Sequence, residues 1–218
     1  MALFVEEIIR TYEEGKIHSS FPPEKVKEII FTSLCNSNRF NGITKVPYST
    51  LVHSYAVGKL ASDFGLIYYN YNQGQRNWAK LFGFMHDMGE VIIGDIVYPM
   101  KTGKYEKIAE EYFKIEKAFL MWIGSEIFKI PEFEKKYEFY QKVVKKADHY
   151  YGVMELIGIS KDCDFFESEK FFEGFKLFDH IPYITFFGFR KAFEDVLELC
   201  LTQDKVKENS DEEEKESL

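Results

Sequence analysis

Apolar residues along this chain recur at i, i+3, i+4 and i+7 over long stretches, and alternating runs of the strand type are few. That period predicts an all-α fold. Helices are expected over residues 3–14, 23–34, 50–65, 75–88, 104–128, 133–157 and 182–201. Several ends carry signals: Pro22-Pro23 opens the second helix, Ser49-Thr50 can cap the third, and Gly65 closes it. Residues 36–48 and 89–103 are polar or punctuated by Gly and Pro and read as loops, where functional groups commonly sit. Residues 163–193 are dense in Phe, with three Phe-Phe pairs, which fits a core layer or a subunit interface.

A chain of 218 residues with 45% hydrophobic content can build one substantial core, so residues 1–203 are read as a single domain. Residues 204–218 hold seven acids against three lysines and few apolar groups, the composition of a disordered acidic tail. Half of the net charge of -8 sits in that tail. The acidic balance argues against polymeric nucleic acid as a partner, while a local basic pocket for a small anion stays possible. No apolar run approaches the roughly 20 residues that span a bilayer. The N-terminal stretch places Glu6 and Glu7 inside its apolar run and does not read as a signal peptide. Cys35, Cys163 and Cys200 are odd in number and widely spaced, as free thiols in a reducing compartment are. A cytoplasmic protein with no membrane partner is expected.

The candidate chemistry centres on His86-Asp87, which follows the apolar run from Trp78 to Met85. A neutral imidazole and a carboxylate placed side by side can reach one cation. Other ligand-type residues are near in sequence or in expected helices: Glu90, Asp95 behind Gly94, His53 and Asp148. Taken singly they are ordinary. His53 lies in a helix that would bury Leu51, Val52, Ala56 and Leu60, where a core histidine is the usual reading, and an acid such as Asp148 on a long helix is usually solvated. Taken together, two imidazoles and two carboxylates from three helices suit Mn²⁺, Co²⁺, Fe²⁺ or Zn²⁺. Such a cation acidifies water and polarises a phosphoryl oxygen, as phosphate-ester hydrolysis requires. Glu90, at i+4 from His86 and i+3 from Asp87, is expected one helical turn away on the same face.

The order of these residues resembles the His-Asp (HD) domain phosphohydrolases, in their 5'-deoxynucleotidase and deoxynucleotide triphosphohydrolase branch. The resemblance runs through Asn38-Arg39-Phe40-Asn41-Gly42, then Tyr48-Ser49-x-x-x-His53-Ser54, then His86-Asp87-x-x-Glu90-x-x-x-Gly94-Asp95-x-x-x-Pro99-x-Lys101. It continues through residues 109–117 and Val144-Lys145-Lys146-Ala147-Asp148, covering about residues 37–157. The string from His86 to Lys101 is far more specific than the doublet alone. The resemblance implies an all-α, HD-type helical bundle in which His53, His86, Asp87 and Asp148 bind the metal. It implies that Glu90 and Asp95 share the attacking water and the leaving 5'-oxygen, with Asp95 favoured on the water and Glu90 near the leaving group. Arg39 is assigned to a substrate phosphate, and Lys101 adds a second positive contact.

The activity so implied is metal-dependent hydrolysis of a (deoxy)nucleotide at the 5'-phosphate ester. A monophosphate would give nucleoside and phosphate; a deoxynucleoside triphosphate, with additional Mg²⁺, would give nucleoside and triphosphate. The alternatives are a phosphodiesterase of cyclic or short oligonucleotides, or a non-catalytic metal- or nucleotide-binding module. A homo-oligomer is expected from the resemblance and the Phe-rich region. Two departures stand out: Val52 occupies the place before the first His where many members carry Glu or Gln, and Met88-Gly89 replaces a pair of small residues. The first removes a polar contact beside the metal ligands that is common in the family.

Overall fold

A computed structural model describes residues 1–39, 48–94, 106–159 and 184–216. Its helices are α1 (Ala2–Glu13), α2 (Pro23–Asn36), α3 (Thr50–Tyr69), α4 (Gln73–Met85), α5 (Glu90–Ile93), α6 (Glu106–Trp122), α7 (Phe133–Ile159) and α8 (Phe186–Glu216). A π-helical turn, Ile123–Ile127, follows α6 directly. Among the described residues the one β-type pairing is the antiparallel bridge between Asn38 and Ser49. The all-α architecture read from the apolar period is the one observed, an HD-type helical bundle.

Local chemistry explains where the helices start and stop. Pro22 and Pro23 open α2 as expected, and Asn72 begins α4 with a capping box closed by Gln75. Gly65 does not end α3. The helix runs four residues further and stops at Asn70, which takes the left-handed conformation (φ 52°). Gly65 has a different role: a β-carbon there would lie 2.7 Å from the ring of Tyr71, which folds back over it. Ser49 precedes α3 without a side-chain cap. Instead Thr50 N–H donates to the Ser37 carbonyl at 2.9 Å, tying the start of α3 to the end of α2.

The centre of the fold is the contact of α3 with α4, and both helices also pack on α7. Two glycines make the α3–α4 approach close. A β-carbon on Gly83 would sit 2.5 Å from the Cα of Gly58, and one on Gly58 would sit 2.7 Å from the Lys80 carbonyl oxygen. Helix α8 closes the bundle against α4, with Phe189 and Phe193 fully buried. Their rings meet Phe31 of α2 at centroid distances of 5.9 and 5.4 Å, edge to face. This described part of the Phe-rich region is core, although Phe187 remains 79% exposed. Pro182, Cys163 and His180 lie outside the described residues. Helix α8 carries on through residues 204–216, the stretch read from composition as a tail, and Asp204 pairs with Lys136 of α7 at 3.0 Å. Among the described residues no helix is long and apolar enough to cross a membrane.

Candidate metal centre

Helix α3 delivers His53 at its first turns, between Leu51 and Ala56, and the side chain is fully buried. Helix α4 ends at Met85, and the chain continues through the turn 86–89, closed by Met88 N–H to Met85 O at 2.9 Å and Glu90 N–H to Asp87 O at 3.1 Å. These are i+3 bonds, so the turn is of 3₁₀ type and Glu90 opens the separate helix α5. The expectation of one continuous α-helix through Met88, with Glu90 one α-turn from His86, is corrected accordingly. Gly89 permits this turn to lie on α6, since a β-carbon there would be 2.5 Å from the Glu116 carbonyl oxygen. Helix α7 supplies Asp148.

The three elements bring ligand-type atoms to one point. His53 Nε2 lies 3.2 Å from His86 Nε2 and 3.0 Å from Asp148 Oδ1, and His86 Nε2 is 3.7 Å from the same oxygen. Asp87 closes on both rings, with Oδ1 3.1 Å from His86 Nε2 and Oδ2 3.7 Å from His53 Nε2. Bonds of about 2.0–2.2 Å to one cation would leave its ligands about 2.8–3.6 Å apart at octahedral or tetrahedral angles. The observed spacings fall in or beside that range.

Two further observations fit a cation. The far nitrogens of both rings face acceptors, His53 Nδ1 the Glu155 carboxylate at 2.7 Å and His86 Nδ1 the Gly83 carbonyl at 2.8 Å. Acceptors at both Nδ1 atoms favour hydrogens there, so the two Nε2 atoms, which face the same space, are the ones free to bind a cation once deprotonated. Asp87 Oδ2, meanwhile, is buried with no hydrogen-bond partner. Burial opposes a charge on His86, yet Asp87 and Asp148 outweigh it and push the imidazole up to about 10. Burial likewise opposes the charge on Asp148, but the two imidazoles against it hold its carboxyl well below the usual range. The pocket demands positive charge, which a proton or a metal ion can supply.

Arg39 reaches the edge of this cluster. The bridge beside Asn38, with Arg39 N–H donating to Tyr48 O at 3.0 Å, sets it there. Its Nη1 lies 3.6 Å from Asp87 Oδ2 and its Nε donates to Glu155 Oε2 at 3.1 Å. Burial would lower its basicity, but Glu155, Asp87 and Asp148 raise it further, so the guanidinium stays charged. Asp148 is the exposed member of the set, with 42% of its side chain accessible, and marks the side open to solvent. Glu90 is half-buried at the head of α5. Asp95 and Lys101 lie outside the described residues. The adjoining Gly94 takes φ +76°, and its carbonyl accepts a bond from Tyr112 of α6.

Sequence reasoning missed Glu155. It is 1% exposed and receives His53, Arg39 and the Tyr48 hydroxyl. His53 thus takes its carboxylate partner from 102 residues away. Two signals were available: Glu155 stands seven residues after Asp148, on the same helix face, and is a lone acid in the otherwise apolar run from Tyr151 to Ile159. His149, next to Asp148, is exposed. Glu116 of α6 is half-buried against Gly89.

A helical bundle that gathers His53, the His86-Asp87 doublet and Asp148 from three elements is the arrangement of the HD-domain phosphohydrolases, a class of divalent-metal hydrolases. Within that class the family model described as 5'-deoxynucleotidase YfbR-like matches residues 34–158, more than half of the chain, and the protein belongs to that family. Comparison with curated proteins and with solved structures finds no match.

Proposed function

We propose that this protein is a 5'-deoxynucleotidase that hydrolyses deoxynucleoside 5'-monophosphates to nucleoside and inorganic phosphate. The observation that carries the reading is the convergence of His53 Nε2, His86 Nε2 and Asp148 Oδ1 at 3.0–3.7 Å, with Arg39 3.6 Å from the adjoining Asp87. The family's description supports the substrate class. His53, His86, Asp87 and Asp148 would hold a divalent cation, and nitrogen and carboxylate donors in this mix suit Mn²⁺, Co²⁺, Fe²⁺ or Zn²⁺. When bound, the cation supplies Lewis-acid polarisation of the phosphoryl group and acidifies water.

The chain's own groups do the rest. Arg39 neutralises and orients the phosphate through its charged fork. Asp95 takes a proton from the attacking water as its oxygen bonds to phosphorus, and Glu90 gives a proton to the 5'-oxygen as the P–O bond breaks. Lys101 adds a cation to the phosphate side.

The test is the purified full-length chain, stripped with chelator and supplied with Mn²⁺ or Co²⁺. It is offered deoxy- and ribonucleoside 5'-mono- and triphosphates and a cyclic dinucleotide. Cation-dependent phosphate release from deoxynucleoside monophosphates is expected. Release of triphosphate would move the assignment to the triphosphohydrolase version, and cleavage of the diester alone to a phosphodiesterase. No release from any substrate would overturn the enzyme reading.

A further inference from the structure

We propose that Glu155 is a positioning residue that serves both halves of the site, so that one buried carboxylate sets the affinity for the cation and for the phosphate together. The inference rests on the function proposed above. Through Oε1, Glu155 meets His53 Nδ1 at 2.7 Å, and through Oε2 it takes Arg39 Nε at 3.1 Å. The Tyr48 hydroxyl donates to Oε1 as well. Burial and the neighbouring carboxylate push that phenol far above its ordinary value, so it remains a donor.

Each contact has a distinct consequence. A carboxylate on Nδ1 fixes the tautomer of His53 and turns its Nε2 toward His86 and Asp148. A carboxylate on Nε fixes the plane of the Arg39 fork with Nη1 directed at the Asp87 side of the cluster. Side-chain exposure of Glu155 is 1%, so these three donors stand in for water around it and their geometry is mutually constrained. The same helix carries Asp148 two turns earlier, and α7 therefore presents a ligand-type acid and the acid that orients its neighbours on one face. A buried ion pair that merely holds α7 to α3 would affect folding alone. A positioning residue changes what the folded protein binds.

The experiment uses full-length protein and Co²⁺ as a visible-spectrum probe, with inorganic phosphate as competitive inhibitor of hydrolysis. Glu155→Gln, which keeps the volume, should weaken Co²⁺ binding by roughly 10- to 100-fold and alter the d–d spectrum. It should also weaken inhibition by phosphate at saturating Co²⁺. Arg39→Lys, which keeps the charge and loses the fork, should weaken inhibition by phosphate by a larger factor than it weakens Co²⁺ binding. A Glu155→Gln protein that binds Co²⁺ as the wild type does, or that loses Co²⁺ affinity with phosphate affinity intact, overturns the coupling. A wild type that takes up no Co²⁺ overturns the metal reading and this inference with it. Should the variant not fold, the wild type decides: long-range ¹H–¹⁵N spectra of the Zn²⁺-loaded protein should show His53 protonated at Nδ1 and bound through Nε2, and binding through Nδ1 would overturn the proposal.

Discussion

Replacing Gly83 by alanine adds a single carbon at the crossing of α3 and α4. That carbon would lie 2.5 Å from Gly58 Cα, 2.8 Å from Gly58 N and 3.1 Å from the Val57 carbonyl carbon. All three are backbone atoms, so no side chain can swing aside. Ordinary carbon contacts need about 3.5–4.0 Å, and the helices must separate by about 1 Å to restore them. His86 follows Gly83 by three residues and is tied to its carbonyl through Nδ1 at 2.8 Å, so it moves with α4. The 3.2 Å separation of the two Nε2 atoms would open by a similar amount. Functional constellations tolerate about 0.5 Å of displacement, and Co²⁺ affinity should fall by roughly 10- to 100-fold. Stability should fall by about 1–3 kcal/mol, or about 2–4 °C in Tm for each kcal/mol at this chain length. Gly152→Ala in α7 is the control, because nothing lies within 4 Å of its added carbon. It should leave Co²⁺ binding alone and stabilise the helix by about 0.5–1 kcal/mol. Wild-type Co²⁺ affinity and Tm in Gly83→Ala would refute the argument that glycine contact sets the spacing of the histidines.

Phe31→Ala removes a fully buried ring that meets Phe128, Phe189 and Phe193, and should cost about 3–5 kcal/mol in denaturant unfolding while Co²⁺ binding by the folded fraction persists. A small loss would show that the aromatic layer between α2 and α8 repacks. In chelator-treated protein, His86 is raised from 6.5 to about 10, so protonated His86 contributes stability in full below pH 6.5 and loses it as pH rises through about 10. Apo Tm should therefore fall across that window, while Co²⁺ affinity should rise over it, because the cation needs the neutral ring. An apo Tm flat from pH 6.5 to 10 would contradict the raised value.

The helical period was enough for the architecture because the core is built from regularly spaced apolar residues, such as Leu81, Phe84 and Met85 on α4. It failed at the doublet for a local reason. The sequence through Met88 keeps an apolar helical pattern, but Gly89 lets the backbone meet Glu116, and that tertiary contact accompanies the change to a 3₁₀ turn. Gly65 was read as a terminator when its actual role is to receive Tyr71, a distinction that needs the third dimension. His53 illustrates why single residues mislead. It is as buried as any core histidine, and what separates it from one is the company of His86 and Asp148. Glu155 stayed hidden because its partners, His53, Tyr48 and Arg39, are 102, 107 and 116 residues away, beyond any local pattern.

The groups that meet at His53 Nε2 come from 33 and 95 residues further along the chain. In an extended chain they have no reason to meet, and a cation would find these donors together only after α3, the turn beyond α4 and α7 have docked. A cation held there acts as a reversible clasp on the tertiary arrangement, drawing the folding equilibrium toward the native side by mass action. Metal supply would then govern how long each molecule survives proteolysis as well as how fast it turns over, and scarcity would thin the population of enzyme instead of leaving it intact and idle.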